Sequence, residues 1–379
     1  MKPCAGLYIH IPFCARKCRY CDFYSVVAPA RHAAFVEALQ TEIRMRRAPE
    51  LTADTIHFGG GTPSLLDPRF LTALVEALQA AFVLAPDAEI ALEANPGSLD
   101  PERLAQLRAA GFSRLNLGLQ SFDDAQLAFL GRIHTAAEGR TAFEQARAAG
   151  FANLGLDLIY GLPDQTAAAW RRELEQVLAL APDHVACYLL SYEPGTPLES
   201  ARRQGQFKPL AETEALRLFE TTQTVLTRAG YEHYEISNFA RQPAYRSRHN
   251  LKYWTGAPYL GFGPGAHSFQ APRRAWNVRD LDRYEAQLAR GRLPIEGAEA
   301  LTAEQEMLEG LFLGLRLTEG IPREAFRARF GVALEARFGE TIARLVHEGL
   351  LAWRGSSLAL TPRGMRLHDS VSAIFADSL

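Results

Sequence analysis

A chain of 379 residues, 47% hydrophobic and 22% charged, has material for two or three domains and a sizeable core. Its formal net charge of −2 supplies no global field that would draw it to nucleic acid or to an anionic membrane. Five cysteines, three of them clustered, exclude a secreted disulfide framework, and no apolar run approaches the ~18 residues of a membrane span, so a cytoplasmic protein is expected.

The first predicted element is a strand over residues 7–11, stopped by Pro12, which cannot continue a sheet ladder and turns the chain into a loop. That loop carries Cys14, Cys18 and Cys21 in a C-x3-C-x2-C spacing. Three thiolates so close in sequence can hold one inorganic centre only if the loop wraps around it. An iron–sulfur cubane held this way keeps one iron open to an outside ligand, an arrangement suited to chemistry. A Cys3His zinc site that adds His10 draws on the same cysteines. His10 suits it poorly, because a strand puts it on the Tyr8 face and ahead of the turn. From the loop alone both metals stay open. The chain also reaches Cys14 too early for a signal peptide.

Strands and helices then alternate. Further strands are predicted at 55–58, 89–94, 114–120, 153–160 and 184–190, with helices at 31–47, 68–82, 101–110, 124–130, 136–149 and 166–180. Asp100-Pro101 supplies a helix start, and Gly111 and Gly150 mark helix ends. Six βα units predict an α/β fold: a parallel sheet curved into a three-quarter barrel with a lateral opening. In such a sheet the working residues gather beyond the C-terminal strand ends. There stand Gly59-Gly60-Gly61-Thr62, Glu93, Gln120 and Asp157, with Arg132 on the nearby 131–135 turn. Asp157 interrupts an apolar strand, where an unpaired carboxylate is costly, so it faces the barrel mouth or is paired. Glu93, Gln120, Arg132 and Asp157 together suit a zwitterion bearing a ribose, with Arg for a carboxylate and acidic groups for an ammonium and hydroxyls. The bland alternatives are a flexible glycine turn, a paired structural Asp157 and a solvated Arg132.

The remaining chain reads as a helix over 211–229, a strand over 231–237 at the far sheet edge, and a loop-rich stretch over 243–272. Helices at 302–316, 323–330 and 334–348, a hairpin at 350–354 and 357–361, and a helix from 362 predict a mainly α, winged-helix-like unit. Between 295 and 379, nine arginines and no lysine face twelve acidic residues, so this unit is expected to cap or dock, not to bind nucleic acid. The expected domains are 1–230, 231–295 and 296–379. Cys187 reads as a strand-core thiol and Cys4 as incidental.

The cysteine spacing on a first βα loop, followed by Gly-Gly-Gly-Thr-Pro after a second strand, resembles the radical S-adenosylmethionine (SAM) superfamily. The strings Tyr-Ile-His-Ile-Pro-Phe-Cys, Phe-Gly-Gly-Gly-Thr-Pro-Ser, Leu-Gly-Leu-Gln-Ser-Phe and Asp-Leu-Ile-Tyr-Gly-Leu-Pro are similar to the oxygen-independent coproporphyrinogen III oxidase family. The match runs from about residue 7 to the C-terminus. It implies a partial (β/α)6 radical SAM barrel with a [4Fe–4S] cluster on Cys14, Cys18 and Cys21. SAM would chelate the open iron through its amino and carboxylate groups. The resemblance places SAM contacts on Tyr8, Tyr20, Gly60, Gly61, Thr62, Glu93, Gln120, Arg132 and Asp157. In the family, the reduced cluster passes an electron to the sulfonium, giving methionine and a 5′-deoxyadenosyl radical.

Two departures bear on the branch. True oxidases extend the cysteine motif by Cys-x-Cys, whereas Phe23 stands at that position here, and Cys14 lies almost at the start of the chain. Both point to the haem-chaperone branch, which binds haem and delivers it to other proteins, possible respiratory enzymes among them. His249-Asn250-Leu251-Lys252-Tyr253-Trp254 resembles that branch's haem-binding motif, with His249 as axial ligand and Tyr253 and Trp254 packing the porphyrin. Arg246, Arg248 and Lys252 are candidates for the propionates; a core aromatic pair beside a satisfied histidine is the bland alternative. The implied partners are haem, haem acceptors, an electron donor and a second copy of the chain. Radical decarboxylation of coproporphyrinogen III is the rival activity, and a zinc-stabilised scaffold the non-catalytic one.

Overall fold

Six parallel strands form the heart of the protein, which we describe from a computed structural model covering residues 4–377. β1 (Ala5–Ile11), β2 (Ala48–Gly60), β3 (Phe82–Ala94), β4 (Arg114–Gln120), β5 (Asn153–Tyr160) and β6 (His184–Leu189) lie side by side in chain order. Between them run α1 (His32–Met45), α2 (Pro68–Ala81), α3 (Pro101–Ala109), α4 (Asp124–Leu130), α5 (Ala136–Ala148) and α6 (Ala167–Leu180). Asp67, Asp100, Asp123, Thr135 and Thr166 cap five of these helices through side-chain oxygens. Strand alternation sorts the residues by face. Leu7, Ile9 and Ile11 of β1 are fully buried in one apolar cluster with Phe35, Leu39 and Ile43 of α1. The other face carries Tyr8, His10, His57, Glu93, Arg114, Asn116 and Asp157, so the barrel interior is polar.

β2 and β3 begin earlier than the hydrophobic pattern indicates. Their first halves pair with each other from Ala48 and Phe82 but contain exposed polar residues and prolines, which hide the strand signal.

The 243–272 stretch departs most from expectation. After α7 (Pro197–Arg203), α8 (Glu212–Arg228) and the antiparallel strands β7 (Glu232–Glu235) and β8 (Asn238–Ala240), it forms α9 (Arg248–Thr255), β9 (Tyr259–Phe262) and β10 (His267–Gln270). β8 pairs with β6, while β9 pairs in parallel with β1. β11 (Arg273–Asn277), α10 (Leu281–Ala289) and β12 (Ile295–Ala300) complete a twelve-stranded sheet extended on both edges. These elements are too short to show a period. α9 was nevertheless signposted by its Ser247 cap and by Gly256, left-handed at φ 64°.

The β9–β11 extension is pinned to α1 by Glu42, a fully buried carboxylate. It accepts from Tyr284 Oη at 2.7 Å, Asn277 Nδ2 at 2.8 Å, Gly263 N at 2.9 Å and Arg46 Nη1 at 3.2 Å.

The C-terminal unit comprises α11 (Ala303–Gly314), β13 (Ile321–Pro322), α12 (Arg323–Phe330), α13 (Leu334–His347), β14 (Leu351–Arg354), β15 (Ser357–Leu360), α14 (Pro362–Met365) and α15 (His368–Ala376). It has its own core around Leu311, Phe326, Phe338 and Leu358. It abuts α9: Arg316 stacks 4.2 Å from the Trp254 ring centroid and Arg329 Nη1 donates to Thr255 O at 2.9 Å. No helix among the described residues is long and apolar enough to cross a membrane.

Replacing Glu42 by Ala would strand several buried donors at once, and should cost about 3–5 kcal/mol in denaturant unfolding. A loss under about 1 kcal/mol would show that this pin does not hold the extension.

Candidate functional site

The loop after β1 has no regular structure, yet its backbone is fixed on several sides. Cys14 N donates to Val26 O at 3.0 Å and Val26 N to Pro12 O at 2.7 Å. Arg19 N reaches Leu130 O at 3.1 Å, and Arg16 Nη2 bonds Gly131 O and Arg132 O at 2.7 and 2.8 Å. The loop is thereby tied to the end of α4 and the turn that bears Arg132.

Its three cysteines open on one cavity of about 580 Å³ at the C-terminal ends of the strands, within the usual range of small-molecule sites. The same cavity is lined by Tyr20, Gly60, Gly61, Thr62, Glu93, Gln120, Arg132 and Asp157. Eight of the nine expected SAM residues thus share one space with all three expected cluster ligands. Tyr8 does not line it. Its hydroxyl bonds His10 Nδ1 at 3.1 Å and its ring lies against His57 and His249, below the cavity.

Each glycine of the triplet has a different physical reason. A Cβ on Gly59 would sit 3.1 Å from the Glu93 carboxylate, and one on Gly61 would meet Phe13 O at 2.6 Å. Gly60 has φ +108°, a conformation L side chains rarely adopt, and faces the His10 ring. The turn is therefore built, not slack.

A polar chain joins the cysteines to the strand ends. Arg132 donates to Asn95 Oδ1 at 2.5 Å, Gly118 O at 2.6 Å and Cys18 Sγ at 3.5 Å, while its buried Nε has no partner among the described residues. Asn95 Nδ2 donates to Thr62 Oγ1 at 2.8 Å, which in turn donates to Cys14 Sγ at 3.7 Å. Glu93 accepts from His57 Nε2 at 3.0 Å and Gly60 N at 3.3 Å. Gln120 holds a left-handed φ of 71° at the cavity edge, the kind of backbone strain that gathers at functional sites. Burial and the neighbouring Glu93 push the Asp157 carboxyl up to about 7, against the pull of Arg114, His57 and Arg132. Asn95 and Asn116, absent from the expected set, also line the cavity, as do Phe23 and Leu189, which are 65% and 52% exposed. Asn95 lay in plain view two residues past Glu93.

His10 is not a metal ligand here. It is buried, and Nε2 bonds Tyr24 O at 2.8 Å while Nδ1 bonds Tyr8. Among the described residues no three His, Cys, Asp or Glu side chains converge to hold a single ion. Three thiols on one wall, an orphaned guanidinium nitrogen and a glycine cradle suit a cluster with a charged small molecule beside it.

The hexapeptide sits elsewhere, on α9 beneath the barrel. His249 is 1% exposed, with Nδ1 bonded to Thr55 Oγ1 at 2.8 Å and Nε2 to Tyr253 Oη at 2.9 Å. Neither ring nitrogen is open to an axial position. Trp254 is covered by Arg316. The cations expected to meet propionates are occupied: Arg246 pairs with Glu232 and Glu319, Arg248 with Asp54 and Asp87, and Lys252 with Asp54 at 2.5 Å. Each was free only in the sequence, where its distant carboxylate could not be seen.

Residues 8–177 match the Radical SAM superfamily and residues 301–367 the HemN C-terminal domain. Fold and cavity together therefore define a radical SAM protein. The chain is 39% identical over 376 residues to the heme chaperone HemW of Mycobacterium tuberculosis strain H37Rv, covering 97% of this chain and 93% of that protein. It is 34% identical to HemW of Bacillus subtilis strain 168, covering 98% and 99%, and 34% identical to HemW of Escherichia coli K12, covering 98% and 98%. Among solved structures it resembles the E. coli coproporphyrinogen III oxidase HemN, a radical SAM enzyme, with TM-score 0.85 and 25% identity over 100% of this chain and 91% of that one. The chain belongs to the oxygen-independent coproporphyrinogen III oxidase-like family, in its HemW branch. Membership implies a [4Fe–4S] cluster and SAM.

Asp157 resists ionisation in the folded protein and not in the unfolded chain, whose carboxyl has the ordinary value of 3.8. Folding stability should therefore fall as pH rises from about 4 to about 7. In cofactor-free protein at about pH 8, Asp157→Asn should raise stability by up to ~4 kcal/mol, a gain that vanishes toward pH 4. Denaturation midpoints across pH test this, and a gap independent of pH would contradict it.

Proposed function

We propose that this protein is a haem chaperone: it binds haem and a [4Fe–4S] cluster with SAM, and passes the haem to haem-requiring acceptor proteins. The observation that carries the reading is similarity over nearly the whole chain to HemW heme chaperones from three bacteria. Phe23 agrees with it, occupying the place where true oxidases of the family carry a fourth cysteine.

Cys14, Cys18 and Cys21 would hold the cluster. When bound, the cluster and SAM supply one-electron chemistry at the sulfonium. The rest falls to the protein. Arg132 offers a guanidinium to a carboxylate, Glu93 a carboxylate to an ammonium, and Asp157 a group for ribose hydroxyls. Asn95 and Thr62 keep Arg132 and Cys14 in fixed relation. As an axial haem ligand His249 would give up one of its two ring hydrogen bonds, Nε2 to Tyr253 or Nδ1 to Thr55, and keep the other to orient the ring.

A second reading, oxidative decarboxylation of coproporphyrinogen III, draws on the likeness to HemN. Anaerobically reconstituted protein should bind haemin at about one per chain and transfer it to a haem-free acceptor enzyme, restoring that enzyme's activity. Incubated with SAM, a reductant and coproporphyrinogen III, it should form no vinyl product. Vinyl product without haem transfer would reverse the assignment.

A further inference from the structure

Three cations stand on the loop that carries the cysteines. Arg16 and Lys17 lie between Cys14 and Cys18 and are exposed, and Arg19 follows Cys18, half-buried. Arg16 bonds only carbonyls, Gly131 O at 2.7 Å and Arg132 O at 2.8 Å, while Arg19 bonds Phe129 O at 3.3 Å and lies over that ring. Lys17 makes no hydrogen bond or ion pair among the described residues. The loop's one carboxylate, Asp22, is already paired with Arg279 at 3.3 Å. Elsewhere the fold pairs its cations across long sequence distances, as Arg246, Arg248 and Lys252 show. Unpaired cations on a loop this firmly held are therefore open to an outside partner.

The cysteine beside them faces two ways. Cys18 borders the large cavity on one side and a second pocket of about 50 Å³ on the other, walled by Ala15, Arg16, Gly131, Arg132 and Ile133. Ala15 and Arg16 are exposed, and Ile133 is 57% exposed. Cys18 is thus approached from outside the barrel without crossing the space expected to hold SAM. The net charge of −2 makes these three cations a local contrast and not part of a general field.

We propose that the face formed by Arg16, Lys17, Arg19 and Ile133 docks an acidic one-electron carrier protein, whose flavin or iron–sulfur group reduces the cluster past Cys18. This rests on Cys14, Cys18 and Cys21 holding that cluster, as read above. One electron leaves the carrier's reduced group and enters the oxidised cluster, and no bond forms or breaks. Electron transfer weakens steeply with distance, so the carrier sits against the wall beside the cysteines and not at the cavity mouth. Redox encounters bury little area, under ~1,200 Å² in all, and are steered by opposite charge. Three cations around one exposed apolar side chain match that scale.

Lys17 is a direct probe, because the chain has only four lysines and Lys252 is buried against Asp54. With no hydrogen bond of its own, it can be replaced without cutting the ties that hold the loop. Anaerobically reconstituted full-length protein is mixed with a reduced flavodoxin, an acidic flavin protein. Cluster reduction is followed by stopped-flow absorbance and by electron paramagnetic resonance. The rate should fall steeply with added salt. Lys17→Glu should slow it about tenfold at low salt, Lys17→Ala less, and Lys17→Arg hardly at all. Reduction by methyl viologen radical, a small cation, should not be slowed by Lys17→Glu. A carbodiimide should join flavodoxin carboxylates to Lys17, read by peptide mass spectrometry, and Lys17→Arg should lose that link while keeping the rate. An unslowed Lys17→Glu, an equal slowing with viologen, or a link at the exposed Lys208 in place of Lys17 would each overturn the proposal. Unsubstituted protein that takes up no iron and sulfide would instead remove the cluster reading, and this proposal with it.

Discussion

The twelve-residue stretch between Phe13 and Val26 has no helix or strand of its own, and its shape depends on main-chain hydrogen bonds to its neighbours. Gly61 N and Thr62 N bond Ile11 O and Phe13 O at 2.8 and 2.7 Å, so the glycine turn carries the β1–β2 ladder past the strand end. That close approach is why a side chain at Gly61 would strike the loop backbone. On the other side, the α4–α5 turn contributes three carbonyls to Arg16 and Arg19. Three cysteines are thus held toward one cavity by a backbone that cannot easily relax, the preorganisation that a metal–sulfur site needs.

The same strands explain the polar interior. An ordinary closed barrel fills its lumen with branched apolar side chains. Here the inward positions are histidines, carboxylates, asparagine and arginine, most with named partners. Arg114 is fully buried and bonds Asn116 Oδ1 at 3.0 Å and Tyr245 O at 2.8 Å. Such a network is costly if half satisfied and rigid if complete. Its upper end is the cavity and its lower end is α9, which also meets the C-terminal unit through Trp254 and Arg329.

Much of this was legible in the sequence, and the reasons are uneven. The six parallel strands showed themselves because apolar runs and capping residues agreed. The cavity residues showed themselves because the C-terminal ends of parallel strands converge. Residues 243–272 did not, since α9 is a short polar helix and β9 and β10 have four residues each. Tyr8 and His249 were assigned to ligands by resemblance, whereas their ring partners come from Thr55, His57 and Tyr253, distant in sequence. Pairings such as Arg248 with Asp87 are likewise long-range and leave no local pattern.

The account turns on the cysteine loop gripping an iron–sulfur cubane, and metal content addresses that most directly. Protein prepared and reconstituted without oxygen should hold about four irons and four acid-labile sulfides per chain. Cys14→Ala, Cys18→Ala and Cys21→Ala should each lose most of both, while His10→Ala should lose neither. One zinc per chain, with no labile sulfide and with loss on replacing His10, would contradict it.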